Sequence, residues 1–422
     1  MATKPKWTVL VYMVADTGDC FYQYAMMDIT EMMKARFDDQ IRVVVHANAP
    51  SPWQTRCWEV TGATKVADRD AGDVEIGVAT GIDCYSNGLL DFVQKSVDKY
   101  ESEYYLLVLW GHGEGIDWKE RVLANRPLSS PIEGAGKRFA PGSQGAIEVG
   151  ELGKSLAELR LEKVPKERVV VGFDACLMGM VEVFDEIRPY VGWVVAADDE
   201  IPDTGWPYTT ILQLLGARPE IPPKELAENI VHICAESYSD PDQNPESKVS
   251  FAACDLSNGP TVLQAMKNLT NELSACIKKP TVRKAVKEAR DFSEDLREKA
   301  YVDLYAFCSE LMRKAEGKPE FQQLIVAANS VKSALRSFVS KFQFSDSYPY
   351  RYAKDARAVS ICFPESAELV GSIPDLRVNW GSYADLTFCR TTHWPDFLTK
   401  FWGSEPVEAD SPAPKAMRQA AG

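Results

Sequence analysis

Two apolar runs, Tyr104-Tyr-Leu-Leu-Val-Leu-Trp110 and Arg168-Val-Val-Val-Gly-Phe173, decide the fold of this 422-residue chain. Both are short and rich in aromatic and aliphatic residues, as expected of strands buried on both faces. The first leads into Gly111-His-Gly113 and the second into Asp174-Ala-Cys176. Because parallel strands of an α/β sheet present the residues that follow them at one edge, we expect His112 and Cys176 to meet there.

Strand-like and helix-like segments alternate on either side of these two runs. Further strands are predicted at 7–14, 41–46, 56–60 and 191–196. Helices are predicted at 21–36, 88–100, 148–161 and 178–189. This alternation indicates βαβ units with right-handed crossovers, and therefore an α/β fold with a mostly parallel central sheet.

The pattern becomes mainly helical after residue 222. Helices are predicted at 224–238, 260–276, 281–299, 302–314 and 321–342, with strands at 249–254 and 358–363. We therefore divide the chain into a core at 1–222, a helix-rich C-terminal region at 223–402 whose strands join or flank the core, and a disordered tail at 403–422. The tail is rich in Pro, Ala and acidic residues, which favour disorder.

The composition limits the classes of partner and the compartment. A formal net charge of −14 argues against nucleic-acid binding and against binding to anionic membranes. No apolar run is long enough for a membrane helix, and no apolar signal stretch precedes Trp7, so we expect a cytoplasmic protein. The ten cysteines show no zinc-finger spacing, which suggests free thiols in a reducing compartment. We expect a monomer.

Cys176 and His112 have the residue types needed for nucleophilic catalysis. A thiol attacks a carbonyl carbon as the thiolate, and a helix N-terminus directly after Cys176 would favour that form. His112 can carry the proton to the leaving amine. The N–H groups of Gly113 and Cys176 can form an oxyanion hole, because Gly113 has no side chain to block a substrate oxygen.

Other interpretations of these residues are less well supported. Most free cysteines only pack in cores, and we expect this of the other nine and a structural role for His46, His232 and His393. Gly111-His-Gly-Glu-Gly115 lacks the spacing of a dinucleotide-binding loop, and no G-x-S-x-G elbow of a serine hydrolase is present. No sequence motif indicates a catalytic metal, so we predict no metal ligands.

The segments around the two reactive residues resemble the clostripain family of cysteine peptidases, in the clan of caspases, gingipains, legumain and separase. The resemblance rests first on Leu-Trp-Gly-His112-Gly and on Gly-Phe-Asp174-Ala-Cys176-Leu-Met-Gly179. Segments that extend it over most of the chain begin at Trp7, Asp28, Gly205, Val302 and Ser360. Their occurrence in this order is more specific than either catalytic motif alone.

The resemblance implies a caspase-like α/β/α sandwich and cleavage of peptide bonds after Arg or Lys. It makes His112 and Cys176 the catalytic dyad and Asp174 the acidic residue of the S1 pocket, where a carboxylate would pair with the basic P1 side chain. Asp203 is a second S1 candidate and Asp16 a third. The run at 198–200 is interpreted as a solvated acidic face.

The segment at 116–145 is predicted to be an exposed loop because it is rich in Gly, Pro, Ser and basic residues. Related enzymes are often activated by cleavage between the His and Cys segments. We therefore expect self-cleavage after Lys137 or Arg138, and less readily after Arg126, which precedes a proline. The alternative is a loop with no processing role.

Two further expectations concern regulation and function. An intracellular protease that cuts at basic residues needs restraint, so we expect a regulatory protein partner, an ion or a blocking loop. No cofactor is required for the chemistry. A structural Ca²⁺ is an open alternative, because surface acids are plentiful and some relatives use this ion. The rival function is a catalytically silent caspase-like scaffold that binds partners.

Overall fold

The apolar runs of the sequence form the strands at the centre of the molecule. The computed structural model describes residues 4–16, 19–49, 54–65, 74–75, 77–82, 88–113, 115, 152–153, 156, 164–239, 248–293, 296, 300–348, 354–365 and 383–403. The strands are β1 Trp7–Met13, β2 Ile41–Ala47, β3 Arg56–Val60, β4 Thr64–Lys65, β5 Val74–Glu75, β6 Ala79–Ile82, β7 Tyr104–Trp110, β8 Val169–Asp174, β9 Trp193–Ala196, β10 Ser250–Asp255, β11 Tyr301–Asp303, β12 Val339–Phe344 and β13 Ser360–Cys362. The helices are α1 Asp19–Lys34, α2 Gly88–Lys99, α3 Val181–Ile187, α4 Tyr208–Ala217, α5 Pro223–Ser237, α6 Gly259–Cys276, α7 Pro280–Phe292, α8 Leu304–Ala315, α9 Gln322–Phe338, α10 Thr387–Thr392 and α11 Trp394–Trp402.

Nine of the described strands form one sheet in the order β12-β10-β9-β8-β7-β1-β2-β3-β6. The five central strands, from β9 to β2, are parallel, and the two outer strands on each side are antiparallel. Every residue of β1 and β8 is buried, which agrees with their position in the middle of a sheet. The predicted fold class, a mixed α/β protein with a mostly parallel central sheet, is confirmed.

Helices cover both faces of this sheet. The side chain of Tyr12 on β1 contacts Phe92 on α2, whereas the side chain of Trp110 on β7 bonds to Asp28 on α1. Tyr12 pairs with Leu109, the neighbour of Trp110. Because adjacent residues of a strand point to opposite faces, α1 and α2 lie on opposite sides.

The C-terminal region contributes both to the sheet and to the segment after Cys176. Strands β10 and β12 extend one edge of the sheet, and β11 pairs with β13 in a separate two-stranded sheet. The N–H of Ser360 donates to the carbonyl of Gly179 at 2.8 Å. The buried Glu182 accepts bonds from the N–H of Cys362 at 2.9 Å and from the hydroxyl of Tyr383 at 3.0 Å. Residues far along the chain therefore hold the segment next to Cys176.

Several predicted boundaries were wrong. The helix predicted at 178–189 begins only at Val181, and the helix predicted at 321–342 ends at Phe338. Strand β12 follows, because its backbone pairs with β10. The helix predicted from residue 302 begins at Leu304, where the side chain of Asp303 accepts a bond from the N–H of Ala306 at 2.7 Å. Most of the helix predicted at 148–161, and the tail after 403, lie outside the described residues.

None of the helices within the described ranges is long and apolar enough to cross a membrane.

Gly172 in β8 makes room for a buried indole ring. A Cβ built on Gly172 would lie 2.4 Å from the ring of Trp206, which is only 1% exposed. We predict that Gly172→Ala lowers the free energy of unfolding by about 1–3 kcal/mol, as overpacking of a core does. Gly81→Ala on the edge strand β6 is the control, since its Cβ would meet nothing within 4 Å. Urea unfolding of both variants measures the difference, and equal stabilities would contradict the packing described.

Candidate active site

The pairing of β7 with β8 brings the two reactive turns to one edge of the sheet. Trp110 pairs with Asp174 as the last residues of the two parallel strands, and the N–H of Gly111 donates to the carbonyl of Asp174 at 3.2 Å. His112 and Cys176 each come two residues after this pair. The register of the two strands therefore brings the two turns together at the carboxyl edge of the sheet, as predicted.

Gly113 lies directly against the backbone of the nucleophile candidate. A Cβ built on Gly113 would lie 2.0 Å from the carbonyl oxygen of Cys176 and 2.8 Å from its nitrogen. These distances are far below any real contact of a Cβ, so only glycine fits at this position. The close approach places the N–H groups of both residues in the same small region, as an oxyanion hole requires.

The turn that carries Cys176 is held by backbone bonds to the segment after β9. The N–H of Leu177, whose φ is +62°, donates to the carbonyl of Asp199 at 3.1 Å. The N–H of Gly179 donates to the carbonyl of Ala197 at 2.7 Å. The sulfur of Cys176 lies 3.4 Å from the nitrogen of Ile201, whose N–H can donate to it.

The expected helix N-terminus at the nucleophile is absent. Helix α3 begins at Val181, five residues after Cys176, and it has only seven residues. Its N-terminus is therefore not adjacent to the sulfur, and the argument from the helix dipole was wrong. The nearest backbone groups of Ile201 are instead its N–H, 3.4 Å from the sulfur, and its carbonyl oxygen, 3.5 Å from it.

The ring of His112 is stacked on an aromatic side chain of α1. Its centroid lies 4.0 Å from that of Phe21, with an interplanar angle of 13°, and Phe21 in turn contacts Trp110. This stacking restricts the plane in which the imidazole can lie. Helix α1 thus orients a side chain of the loop after β7.

Asp174 is a buried carboxylate on the helix α1 side of the sheet. It is 3% exposed, and its Oδ2 accepts bonds from the N–H of Trp206 at 3.0 Å and from the hydroxyl of Tyr208 at 2.8 Å. Burial is the main reason why its pKa is raised, to about 7. The Gly205–Tyr208 segment positions this side chain. The segment is one of those that resemble the clostripain family, but the resemblance assigned it no contact with Asp174.

Asp28 is a second buried carboxyl group that the sequence analysis did not propose as a site residue. Its Oδ2 accepts a bond from the indole Nε1 of Trp110 at 2.7 Å. Burial, followed by the charge of Asp174, raises its pKa to about 9. Nothing in the sequence of α1 indicates this, because Asp28 reaches the site only through the packing of that helix on β7.

The other acidic candidates are placed differently. Asp203 is exposed in the loop before Gly205, and Asp16 is partly exposed in the turn after β1. The interpretation of 198–200 as a solvated face was wrong, since Asp198 and Asp199 are both buried. Asp198 accepts a bond from the hydroxyl of Ser250, and Asp199 accepts one from Tyr348 at 2.7 Å. These bonds tie the nucleophile turn to the C-terminal region.

The remaining reactive residues have other surroundings. His46 is buried and lies between Cys57 and Asn48, whereas His232 and His393 are exposed. Within the described ranges, no group of three or more His, Cys, Asp or Glu residues could hold a metal ion. The candidate cleavage sites Arg126, Lys137 and Arg138 lie outside the described residues.

The comparisons with known proteins agree on the family and on the fold. The family model of the clostripain family matches residues 11–402. No curated protein matched the chain.

Solved structures with the same fold cover almost the whole chain. An inactive zymogen of a C11 protease from Parabacteroides distasonis is 16% identical, with a TM-score of 0.61 over 93% of this chain and 99% of that one. A secreted C11 cysteine protease from Bacteroides thetaiotaomicron, in complex with an irreversible peptide inhibitor, is 18% identical, with a TM-score of 0.59 over 92% and 99%. At these identities the likeness is one of fold.

We predict that Cys176 is the most reactive thiol among the eight cysteines whose side chains the structure describes. Burial raises the pKa of other thiols, including Cys234, Cys254 and Cys276. Limiting iodoacetamide at pH 7, followed by peptide mapping, should label Cys176 first. His112→Ala should slow that labelling roughly tenfold or more, because less thiolate is present.

His232→Ala is the matched control for this experiment, because His232 is exposed on α5. Its labelling rate at Cys176 should equal that of the wild type. Faster labelling of Cys276, or no effect of His112→Ala, would contradict the pairing of His112 with Cys176.

Proposed function

Because the chain belongs to the clostripain family of cysteine proteases, we propose that it is an endopeptidase that cleaves after Arg or Lys with a Cys176–His112 dyad. The observation that carries the proposal is the contact of the Gly113 backbone with that of Cys176, which joins the two turns at one sheet edge. An acidic side chain, Asp174, lies two residues before the nucleophile and is buried on the same strand.

The proposed reaction proceeds through an acyl-enzyme. The thiolate of Cys176 attacks the scissile carbonyl carbon, and the resulting oxyanion accepts bonds from the N–H groups of Gly113 and Cys176. His112 donates its proton to the amine, the C–N bond breaks, and the acyl group stays on the sulfur. His112 then removes a proton from water, which attacks the thioester and releases the carboxylic acid and the thiolate.

Asp174 is the residue that we propose to read the P1 side chain. A buried carboxylate pairs strongly with a guanidinium or ammonium group and rejects acidic side chains. Asp203 and Asp16 are weaker candidates for the same pocket. Asp203 would contribute from the exposed loop before Gly205, and Asp16 from the turn after β1.

The proposal includes self-cleavage in the segment at 116–145, after Lys137 or Arg138 or, less readily, Arg126. One structural neighbour is described as an inactive zymogen, which supports an uncleaved precursor for that protein. A regulatory partner, a monomeric state and a structural Ca²⁺ stay predictions. The cytoplasmic location also stays a prediction, and one neighbour is described as secreted.

Peptide cleavage tests the proposed specificity. We expect wild-type protein to cleave fluorogenic peptides with Arg or Lys at P1, and to leave peptides with Asp at P1 intact. Cys176→Ala should have no activity. Asp174→Asn should lose roughly 10- to 100-fold in kcat/KM for Arg peptides, as expected for the loss of a charged hydrogen bond.

The same assay separates the enzyme from the silent scaffold. Wild-type protein that cleaves no peptide, with or without Ca²⁺ and after limited proteolysis, would support the scaffold. A preference for acidic P1 residues would overturn the role given to Asp174.

Self-cleavage predicts a difference in chain length between wild type and Cys176→Ala. Incubated wild-type protein should split near residue 138, and Cys176→Ala should remain one chain, as measured by intact mass. A K137A/R138A double variant should remain uncut or split elsewhere in the loop. If wild type and Cys176→Ala both stay intact, the enzyme either works uncut or is switched by something other than cleavage of this loop.

A further inference from the structure

Two buried carboxyl groups from different elements lie close to the same glycine, Gly205, beside strand β8. Asp28 on α1 and Asp174 at the end of β8 are each 3% exposed. A Cβ built on Gly205 would lie 2.9 Å from Oδ2 of Asp174, 3.3 Å from its Oδ1 and 3.3 Å from Oδ2 of Asp28. Three carboxylate oxygens therefore lie so close to the backbone of Gly205 that any side chain at this position would crowd them.

Hydrogen-bond donors among the described residues reach only some of these carboxylate oxygens. Oδ2 of Asp28 accepts the bond from Trp110, and Oδ2 of Asp174 accepts those from Trp206 and Tyr208. Oδ1 of Asp174 is buried and has no hydrogen-bond partner among the described residues. A buried acceptor without a donor is costly, so this oxygen is poised for a donor that arrives from outside.

The titratable groups that surround the pair are all acids. The titratable groups that face it are Glu31 on α1, Tyr208 on α4, and Cys234 and Tyr238 on α5. In the part of the chain that the structure describes, no lysine, arginine or histidine forms an ion pair with either carboxylate. Burial is the largest reason why both pKa values are raised, to about 9 for Asp28 and about 7 for Asp174. Near neutral pH the pair therefore holds a proton.

We propose that Asp28 is the second carboxylate of the P1 pocket, and that a basic P1 side chain displaces a proton from this acidic pair when it binds. This inference rests on the proposed function and deepens it. A guanidinium group has five N–H donors in a planar fork, which suits two carboxylates better than one. Asp28 acts here as a residue that determines specificity.

The binding step balances in protons and charge. Without substrate, the pair carries one proton and one negative charge. The P1 side chain enters already protonated, its positive charge favours ionisation of the second carboxyl group, and the displaced proton passes to the solvent. The bound state then has two carboxylates and one cation, with the N–H groups of Trp110 and Trp206 and the hydroxyl of Tyr208 as further donors.

Steady-state kinetics of Asp28→Asn test the specificity role. Asparagine can still accept the bond from Trp110, so the fold should persist. We expect KM for an Arg peptide to rise roughly tenfold or more, with kcat changed less than about threefold. The wild-type KM should fall as the pH rises from 6 to 9, because the carboxyl groups ionise, and this fall should be smaller in Asp28→Asn.

Asp185→Asn is the matched control, because Asp185 on α3 is also a buried acid but pairs with Arg188, the residue directly after that helix. Its KM and pH profile should match those of the wild type. An unchanged KM and pH profile in Asp28→Asn would overturn the inference while leaving cleavage after Arg intact. Wild-type protein with no preference for basic P1 residues would overturn the proposed function, and the inference with it.

Proton release is measured without turnover. Cys176→Ala protein is titrated with acetyl-Ala-Ala-Arg-amide at pH 7.5 in buffers of different ionisation enthalpy. We expect release of roughly one proton per bound peptide, and clearly less for the Cys176→Ala/Asp28→Asn protein. Equal release by both proteins would show that Asp28 holds no displaceable proton.

The pH dependence of stability in the substrate-free protein provides a further test. Because the pKa of Asp28 is higher in the folded chain than in the unfolded one, the folded state keeps a proton that the unfolded state loses. Wild-type protein should therefore lose stability relative to Asp28→Asn as the pH rises from about 4 to 9. If the stabilities of the two proteins, measured by urea unfolding, change in parallel over this pH range, the folded state does not retain a proton at Asp28.

Discussion

The hydrogen-bonded register between β7 and β8 is the constraint from which the site follows. It makes Trp110 and Asp174 the last pair of the two strands, and His112 and Cys176 then stand at equal distances beyond it. Their turns meet so closely that residue 113 must be glycine. The same pair of residues points toward α1, where Asp28 bonds to Trp110 and lies, like Asp174, against the backbone of Gly205. The proposed dyad and the acidic pair are therefore both positioned by a single alignment of two strands.

Local sequence predicted the parts of the fold that are buried continuously. The run at 104–110 is β7 residue for residue, β1 ends one residue earlier than predicted, and β8 begins and ends one residue later. Local sequence failed where a partner far along the chain decides the outcome. Strand β12 was predicted as the end of a helix, and it is extended only because β10 pairs with it.

The same limit applies to the site. His112, Gly113 and Cys176 could be proposed from their positions after buried strands. Asp28 could not, because an acid in an amphipathic helix is usually solvated, and only packing against β7 buries it. Asp198 and Asp199 show the reverse error, since a run of acids was read as exposed although both bond within the core. Burial of charge depends on tertiary contacts that no short window of sequence contains.

The bonds from Ser360, Cys362 and Tyr383 to Gly179 and Glu182 can form only late in the synthesis of the chain. A ribosome that has just added Cys176 must still add more than 180 residues before Ser360 exists. At synthesis rates of roughly 5–20 residues per second, this takes roughly 10–40 s. During that interval the nucleophile turn lacks its last supports. The order of the chain thus delays a complete thiol site until most of the polypeptide has been made.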